Sequence, residues 1–380
     1  MSPLLIIFVT VFIDLLGFGI IIPLLPFYAE HFGASALMVG LLSSSFSVAQ
    51  LLFAPFWGRL SDRIGRRPVI LIGLLGSALS YSLFALATSL PMLFVARTLA
   101  GIAGANIPTA QAFIADTTTA ETRARGMGLI GAAFGLGFIF GPAIGGFLSH
   151  WGYAAPAWFA GALSLANFMA AVFLLPESRP PQARDTSGPG RIEVIRRAVA
   201  QPNLPMVLLV YFLVVTAFAS FEATFALYSE RRFGFTAATI GYMFAWIGVV
   251  LATVQGMLVG RVVKRIGEKR LVPLAIFVIA LALGLVPVAA TVPLLAGVAG
   301  LLAFGMGFNS PSLLSAISQL ADPRDQGSTL GVSQSLGSLA RIIGPLWGGW
   351  VFDQFGIGFP FVTSAAVMLL ACALSLVAFN

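Results

Sequence analysis

The chain alternates long apolar runs with short polar breaks. The runs fall at approximately 4–29, 36–58, 68–88, 90–115, 124–149, 155–176, 204–229, 236–260, 271–290, 292–320, 326–352 and 358–379. A helix that crosses a bilayer needs roughly 20 mostly apolar residues. The pattern therefore predicts an all-α membrane protein with twelve transmembrane helices. The first run reads as a span rather than a cleaved leader, because it is long, lacks a basic start and is followed by further spans.

The polar breaks carry a second pattern. Trp57-Gly58-Arg59-Leu60-Ser61-Asp62-Arg63-Ile64-Gly65-Arg66-Arg67 is a charged break punctuated by two glycines, and it reads as a tight loop. Gly58, Arg59, Arg63, Ile64 and Gly65 recur 202 positions later as Gly260, Arg261, Arg265, Ile266 and Gly267. Gly104, Asn106 and Pro108 recur 203 positions later as Gly307, Asn309 and Pro311. Gly141-Pro142 with Gly145-Gly146 recurs at the same offset as Gly344-Pro345 with Gly348-Gly349. A constant offset over this length implies a duplication, with six spans in each half and both halves running the same way. The expected organisation is a half at 1–176, a polar linker at 177–203 and a half at 204–380. A parallel repeat of this kind has its axis along the membrane normal and its site at the repeat interface. Within the linker, 191–200 has the pattern of a short amphipathic helix, with Ile192, Ile195 and Val199 toward lipid.

Composition and charge narrow the class. Apolar residues make up 58% and charged residues 9% of the 380, where a soluble domain has about half and a quarter. The net charge of +7 would suit nucleic acid, but its placement argues against that partner. Of the 21 Lys and Arg, seventeen lie in even-numbered breaks or the linker, Arg231 and Arg232 lie in an odd break, and Arg97 and Arg341 lie within spans. By the positive-inside rule the even breaks and both termini are cytoplasmic, in a multi-pass protein of the inner (plasma) membrane. The single cysteine, Cys372, allows no internal disulfide.

Ionisable residues inside spans are costly and so mark candidate sites. Asp14 lies about ten residues into its run, or roughly 15 Å at 1.5 Å per residue, near the bilayer centre. It is a candidate proton carrier or substrate contact; the alternative is a helix–helix hydrogen bond. Arg97 aligns with Gly300, and Asp14 with Thr216 or Ala217, so this charged pair breaks the duplication. Arg97 is expected to stabilise ionised Asp14 when close and to release it when a conformational change separates them, or to form a structural ion pair. In the seventh span, helical spacing puts Tyr211, Phe218, Glu222 and Phe225 on one side. A carboxylate among aromatics suits a lipophilic cation; the alternative is a lipid-facing aromatic face. Arg341 either enters a cavity or snorkels. Pro108 and Pro311 are expected to kink their helices. No Walker A motif and no metal-ligand cluster appear, so no cofactor or metal is expected. His31 and His150 lie in outside breaks.

Together these residues resemble the major facilitator superfamily. The break at 58–67, Arg97-x-x-x-Gly101-x-x-Gly104, and the spacing Gly128-x8-Gly137-x3-Gly141-Pro142-x2-Gly145-Gly146 carry the resemblance. The last of these resembles the proton-driven drug antiporters. Asp14-Leu15-Leu16-Gly17-Phe18-Gly19 and Ile114-Ala115-Asp116-Thr117-Thr118 resemble tetracycline-efflux proteins. The resemblance implies a central cavity lined by spans 1, 4, 7 and 10, which would place Asn106, Gln111 and Asn309 there, to bond substrate or water or to bond between helices. It implies that the glycines of span 5 pack closely against span 8 and limit leak. The break containing Gly58, Asp62, Arg63, Gly65 and Arg66 is expected to be a cytoplasmic latch. Its acid occurs once, since Lys264 stands where Asp62 would repeat. Tetracycline antiporters carry an acid in span 3 where this chain has Ser80, which points to a different substrate.

The sequence therefore predicts a proton-coupled exporter of lipophilic drugs or similar small molecules. It would work as a monomer in the bilayer by alternating access, without enzymatic activity. The rivals are a proton-linked carrier of a native metabolite and a non-transporting receptor; the absence of a large soluble domain counts against the receptor.

Overall fold

A bilayer leaves backbone N–H and C=O groups no partner except each other, so apolar runs of this length become helices. The computed structural model describes residues 3–105, 107–178, 196, 200–321 and 326–379, with 120–125 and 326–328 described by backbone alone. The helices are α1 (Pro3–Ile21), α2 (Leu25–His31), α3 (Ala36–Ile64), α4 (Arg66–Ala85), α5 (Leu90–Ala103), α6 (Ile107–Thr117), α7 (Ala120–Leu148), α8 (Ala154–Leu174), α9 (Leu204–Phe233), α10 (Ala237–Thr253), α11 (Val259–Ile266), α12 (Glu268–Leu285), α13 (Val292–Leu320), α14 (Gln326–Phe355) and α15 (Phe359–Phe379). Asn106 and nearly all of the proposed amphipathic segment at 191–200 lie outside the described residues. Among the described residues, 11 helical segments are long and apolar enough to cross a membrane. α14 adds a further helix of 30 residues, which carries Arg341 and Asp353.

Several boundaries differ from the apolar pattern for local reasons. The first run is broken by a turn at Ile22–Leu24, where Pro23 has no N–H to continue the helix. The fourth run divides into α5 and α6, and Pro108 follows the start of the second piece. A π-helical stretch, Val254–Leu258, joins α10 to α11. The largest correction concerns the charged break. Trp57 to Ile64 remain helical, and the turn shrinks to Gly65 at φ +107°, with α4 starting at the next residue. Gly267 makes the matching turn at φ +74°. This is a backbone region that side-chain-bearing residues rarely adopt. Gly58 is simply a helical residue with open space beside it.

The chain forms two compact units. The first comprises Met1–Ala34, Ser45–Ser187 and Thr236–Ala245; the second comprises Ser35–Ser44, Gly188–Phe235 and Trp246–Asn380. In the first unit α1 lies against α7 and α8, and α4 against α5 and α8. Its core contains Ile7, Leu15, Leu74, Phe113 and Ala133, all buried. In the second unit α9 packs on α14 and α15, and α12 on α13 and α15. Residues 35–44, the start of α3, belong to the second unit. There the two carboxylate oxygens of Asp353 accept from the N–H groups of Ala36 (3.2 Å) and Leu37 (2.9 Å). A carboxylate suits a helix N-terminus because the first N–H groups have no partner within the helix.

Candidate transport site

In the first unit, α1 presents Asp14 and Gly17 toward α4, and Phe18 toward Phe46 of α3 and Phe138 of α7. Ser77 donates a hydrogen bond of 3.0 Å from its hydroxyl to Asp14. Tyr81, one turn further along α4, brings the hydroxyl end of its ring to Gly17, where a Cβ would meet it at 3.0 Å. The same Tyr81 sits in the fields of both Asp14 and Arg97. Arg97 is buried on α5, with its guanidinium 4.6 Å above the Phe46 ring and 5.9 Å from that of Phe18. Cation–π contact of this kind keeps a cation tolerable away from water. A carboxyl, a hydroxyl, a phenol and a guanidinium thus share one neighbourhood. The expected Asp14 and Arg97 meet around Tyr81, and Ser77, Tyr81, Phe18 and Phe46 complete the cluster.

In the second unit, Tyr211 and Glu222 on α9 lie within electrostatic range of Arg341 on α14. Glu222, Tyr211, Phe218 and Arg341 are all half-buried. Phe225 is fully buried and packs at a tilt on Phe221, with ring centroids 4.7 Å apart, and Phe221 itself meets Phe361 of α15. The aromatic series along α9 is therefore divided: Phe225 is taken up by helix packing, while Phe218 stays at the level of the charged groups.

Residues 7–291 and 252–380 match the family profile Major Facilitator Superfamily. The chain belongs to the major facilitator superfamily. It is 31% identical to multidrug resistance protein 2 of Bacillus subtilis over 373 residues, covering 97% of this chain and 92% of that one. It is 35% identical to the class E tetracycline resistance protein of Escherichia coli over 362 residues, covering 90% and 89%. Among solved structures, the human organic anion transporter MFSD10 superposes with a TM-score of 0.76 at 30% identity, covering 98% of each chain. The protein is a multi-pass membrane transporter, not an enzyme.

The superfamily's charged break is here a built network in the first unit. Arg66 is buried; it pairs with Asp62 at 2.9 Å and with Asp116 at 3.1 Å, and donates to the Ser61 hydroxyl at 2.6 Å. Glu177 accepts from the backbone N–H groups of Arg66 (2.9 Å) and Arg67 (3.3 Å), capping α4. A side chain at Gly65 would collide with that carboxylate. Arg63 is exposed. Among the described residues the second copy shows a different arrangement: Glu268 accepts from Ser315 and Gln319, each at 3.1 Å.

The glycines of α7 divide by partner. A Cβ at Gly137 would meet Leu15 at 3.1 Å, and one at Gly141 would meet Gly19 at 2.7 Å; Gly145 lies on the Ile20 carbonyl. Only Gly146 faces α10, where a Cβ would lie 2.9 Å from Gly241, and Gly128 faces open space. The small-residue stripe therefore serves α1, which carries Asp14, more than the expected α10. Pro142 lies inside α7 without ending it, and its carbonyl faces Gly241. Of the remaining polar candidates, Gln111 is half-buried on α6, and Asn309 is 1% exposed on α13 with its carbonyl oxygen unpartnered among the described residues.

Sequence reasoning missed Ser77, Tyr81, Asp116 and Glu177. The i, i+4 spacing of Ser77 and Tyr81 was the available signal for the first two. Ser80, where an acid was sought, instead bonds back to the Gly76 carbonyl at 2.7 Å.

Proposed function

We propose that this transporter couples proton movement to the export of lipophilic drugs or similar small organic molecules by alternating access. The observation that carries the reading is the Asp14 cluster: a carboxyl in the middle of α1, hydrogen-bonded by Ser77 and sharing Tyr81 with Arg97. An intramembrane carboxyl with a polar partner can hold or lose a proton, and a nearby guanidinium favours the ionised form. Movement of α1 relative to α5 would change that balance and so link a proton to a conformational step. Substrate is bound by Glu222 and Phe218, with Arg341 and Tyr211 beside them. The names of the Bacillus and Escherichia relatives support a drug cargo. The protein acts as a monomer in the inner membrane with both termini cytoplasmic, an orientation supported by the placement of its basic residues.

The test is flux in proteoliposomes under an imposed pH gradient. Movement of a lipophilic compound opposite to the proton gradient is the expected result. Movement in the same direction as protons would favour the carrier of a native metabolite, a reading that the organic-anion name of the human relative also supports. Flux indifferent to the gradient would remove proton coupling altogether.

A further inference from the structure

Arg341 is the sixteenth of the 30 residues of α14, at its midpoint. An ionised guanidinium at that depth is costly and demands a partner. Among the described residues it forms no ion pair. Its hydrogen bond to the Ser338 hydroxyl is long, at 3.4 Å. Glu222 on α9 contributes an electrostatic field at the guanidinium. A guanidinium has five N–H donors and no acceptor, and no Arg341 nitrogen is among the buried, unpartnered polar atoms of the described residues, so its spare donors are open to a ligand rather than sealed in the packing.

One turn before Arg341 stands Gly337, and its missing side chain defines the place. A Cβ there would lie 2.9 Å from the Tyr211 hydroxyl oxygen and 3.5 Å from Nη1 of Arg341. The phenol and the guanidinium thus converge on one strip of α14 that carries no side chain of its own. Both residues are half-buried, so neither is sealed in the packing. Two convergent donors, one of them charged, over a gap left by glycine make a complement to an oxyanion. A planar carboxylate matches the guanidinium fork in particular.

We propose that Arg341 and Tyr211, with Gly337 between them, seat the carboxylate of an amphipathic organic anion, which makes such anions a substrate class of this transporter. This rests on the reading that the charged face of α9 and α14 contacts substrate. In the empty protein Glu222 supplies part of the compensating field, and the bound carboxylate supplies the rest by direct hydrogen bonds. Gly337 is required because any larger residue would push the Tyr211 hydroxyl out of reach.

The experiment is equilibrium binding to the purified full-length protein in detergent, with no gradient. The probes are an amphipathic aryl carboxylate, its methyl ester and the corresponding primary amine. The wild-type protein should bind the carboxylate more tightly than the ester. Arg341→Gln should weaken the carboxylate roughly thirty-fold or more while leaving the ester unchanged, and Tyr211→Phe should weaken it roughly five-fold. Ester binding and the thermal unfolding midpoint report on folding. If Arg341→Gln does not fold, Tyr211→Phe and Gly337→Ala carry the test, each expected to weaken the carboxylate and spare the ester. Equal losses for carboxylate and ester, no loss for the carboxylate, or a wild-type protein that binds the ester and amine but not the carboxylate would overturn the seat. Selective carboxylate binding without gradient-driven flux would uphold the seat and remove only the proton-coupled reading.

Discussion

The two units share a frame and differ in their charges. In the first, Gly137, Gly141 and Gly145 of α7 lie on α1; in the second, Gly344 and Gly348 of α14 lie on α9. Gly146 of α7 meets Gly241 and Ala238, and its repeat equivalent, Gly349 of α14, meets Ala36 and Leu37. Against this equivalence the ionisable groups fall out of register. The first unit has an acid on its first helix and an arginine on α5. The second has an acid further along its first helix and an arginine on α14, where the first unit has Phe138. Packing between helices needs only small residues at the right spacing, so duplication preserves it. On the proposed reading a proton site and a substrate site need different charges, which accounts for the divergence of the ionisable groups between the units.

Asp14→Asn gives the largest expected effect: gradient-driven accumulation is abolished while the protein inserts and folds. Normal accumulation by this variant in vesicles would place coupling elsewhere and erase the contrast between units. Next come the shared glycines. Gly141→Ala forces a Cβ against the backbone of Gly19, and Gly344→Ala forces one to 2.8 Å from Ala219. Overpacking of this kind costs about 1–3 kcal/mol. Similar drops in unfolding midpoint for both are expected, and a drop for only one would show that the frame is not shared.

Glu222→Gln tests the second unit's charge. It should weaken cationic substrates by on the order of 2 kcal/mol, about thirty-fold, and neutral analogues little. Equal losses in paired binding isotherms would make Glu222 a packing residue. The end of the second unit that carries Asp353 has its own asymmetry. Asp353 caps α3, whereas its repeat equivalent His150 bonds back to the Phe147 carbonyl at 2.9 Å. Asp353→Ala should cost about 1 kcal/mol, the usual loss for a helix cap, and His150→Ala should leave the unfolding midpoint unchanged. Asp62→Asn should have only a small effect on stability, because a part-exposed ion pair contributes about 0.2–1 kcal/mol. It should slow turnover with affinity retained; loss of affinity with turnover intact would refute the latch.

The sequence was most legible where physics is local. Apolar run length gave the helices, and the constant offset between the halves gave the repeat. Gly65 and Gly267 marked real turns, but Gly58 did not, because a glycine in a helix looks the same in sequence as one in a turn. Partners across long chain separations were not legible. Arg66 reaches Asp116 across 50 positions, and its N–H reaches Glu177 across 111. The glycine stripe of α7 announced a close neighbour without naming α1. Ser77 and Ser80 are both hydroxyls on α4, and only the rotation of that helix decides that Ser77 faces Asp14.

The central claim is that proton chemistry belongs to the first unit and substrate charge to the second. The direct measurement is the proton movement that accompanies transport of a neutral substrate, followed with a pH indicator in proteoliposomes, for Asp14→Asn and Glu222→Gln side by side. The account predicts that proton movement disappears in Asp14→Asn and persists in Glu222→Gln. Persistence in Asp14→Asn with loss in Glu222→Gln would contradict it.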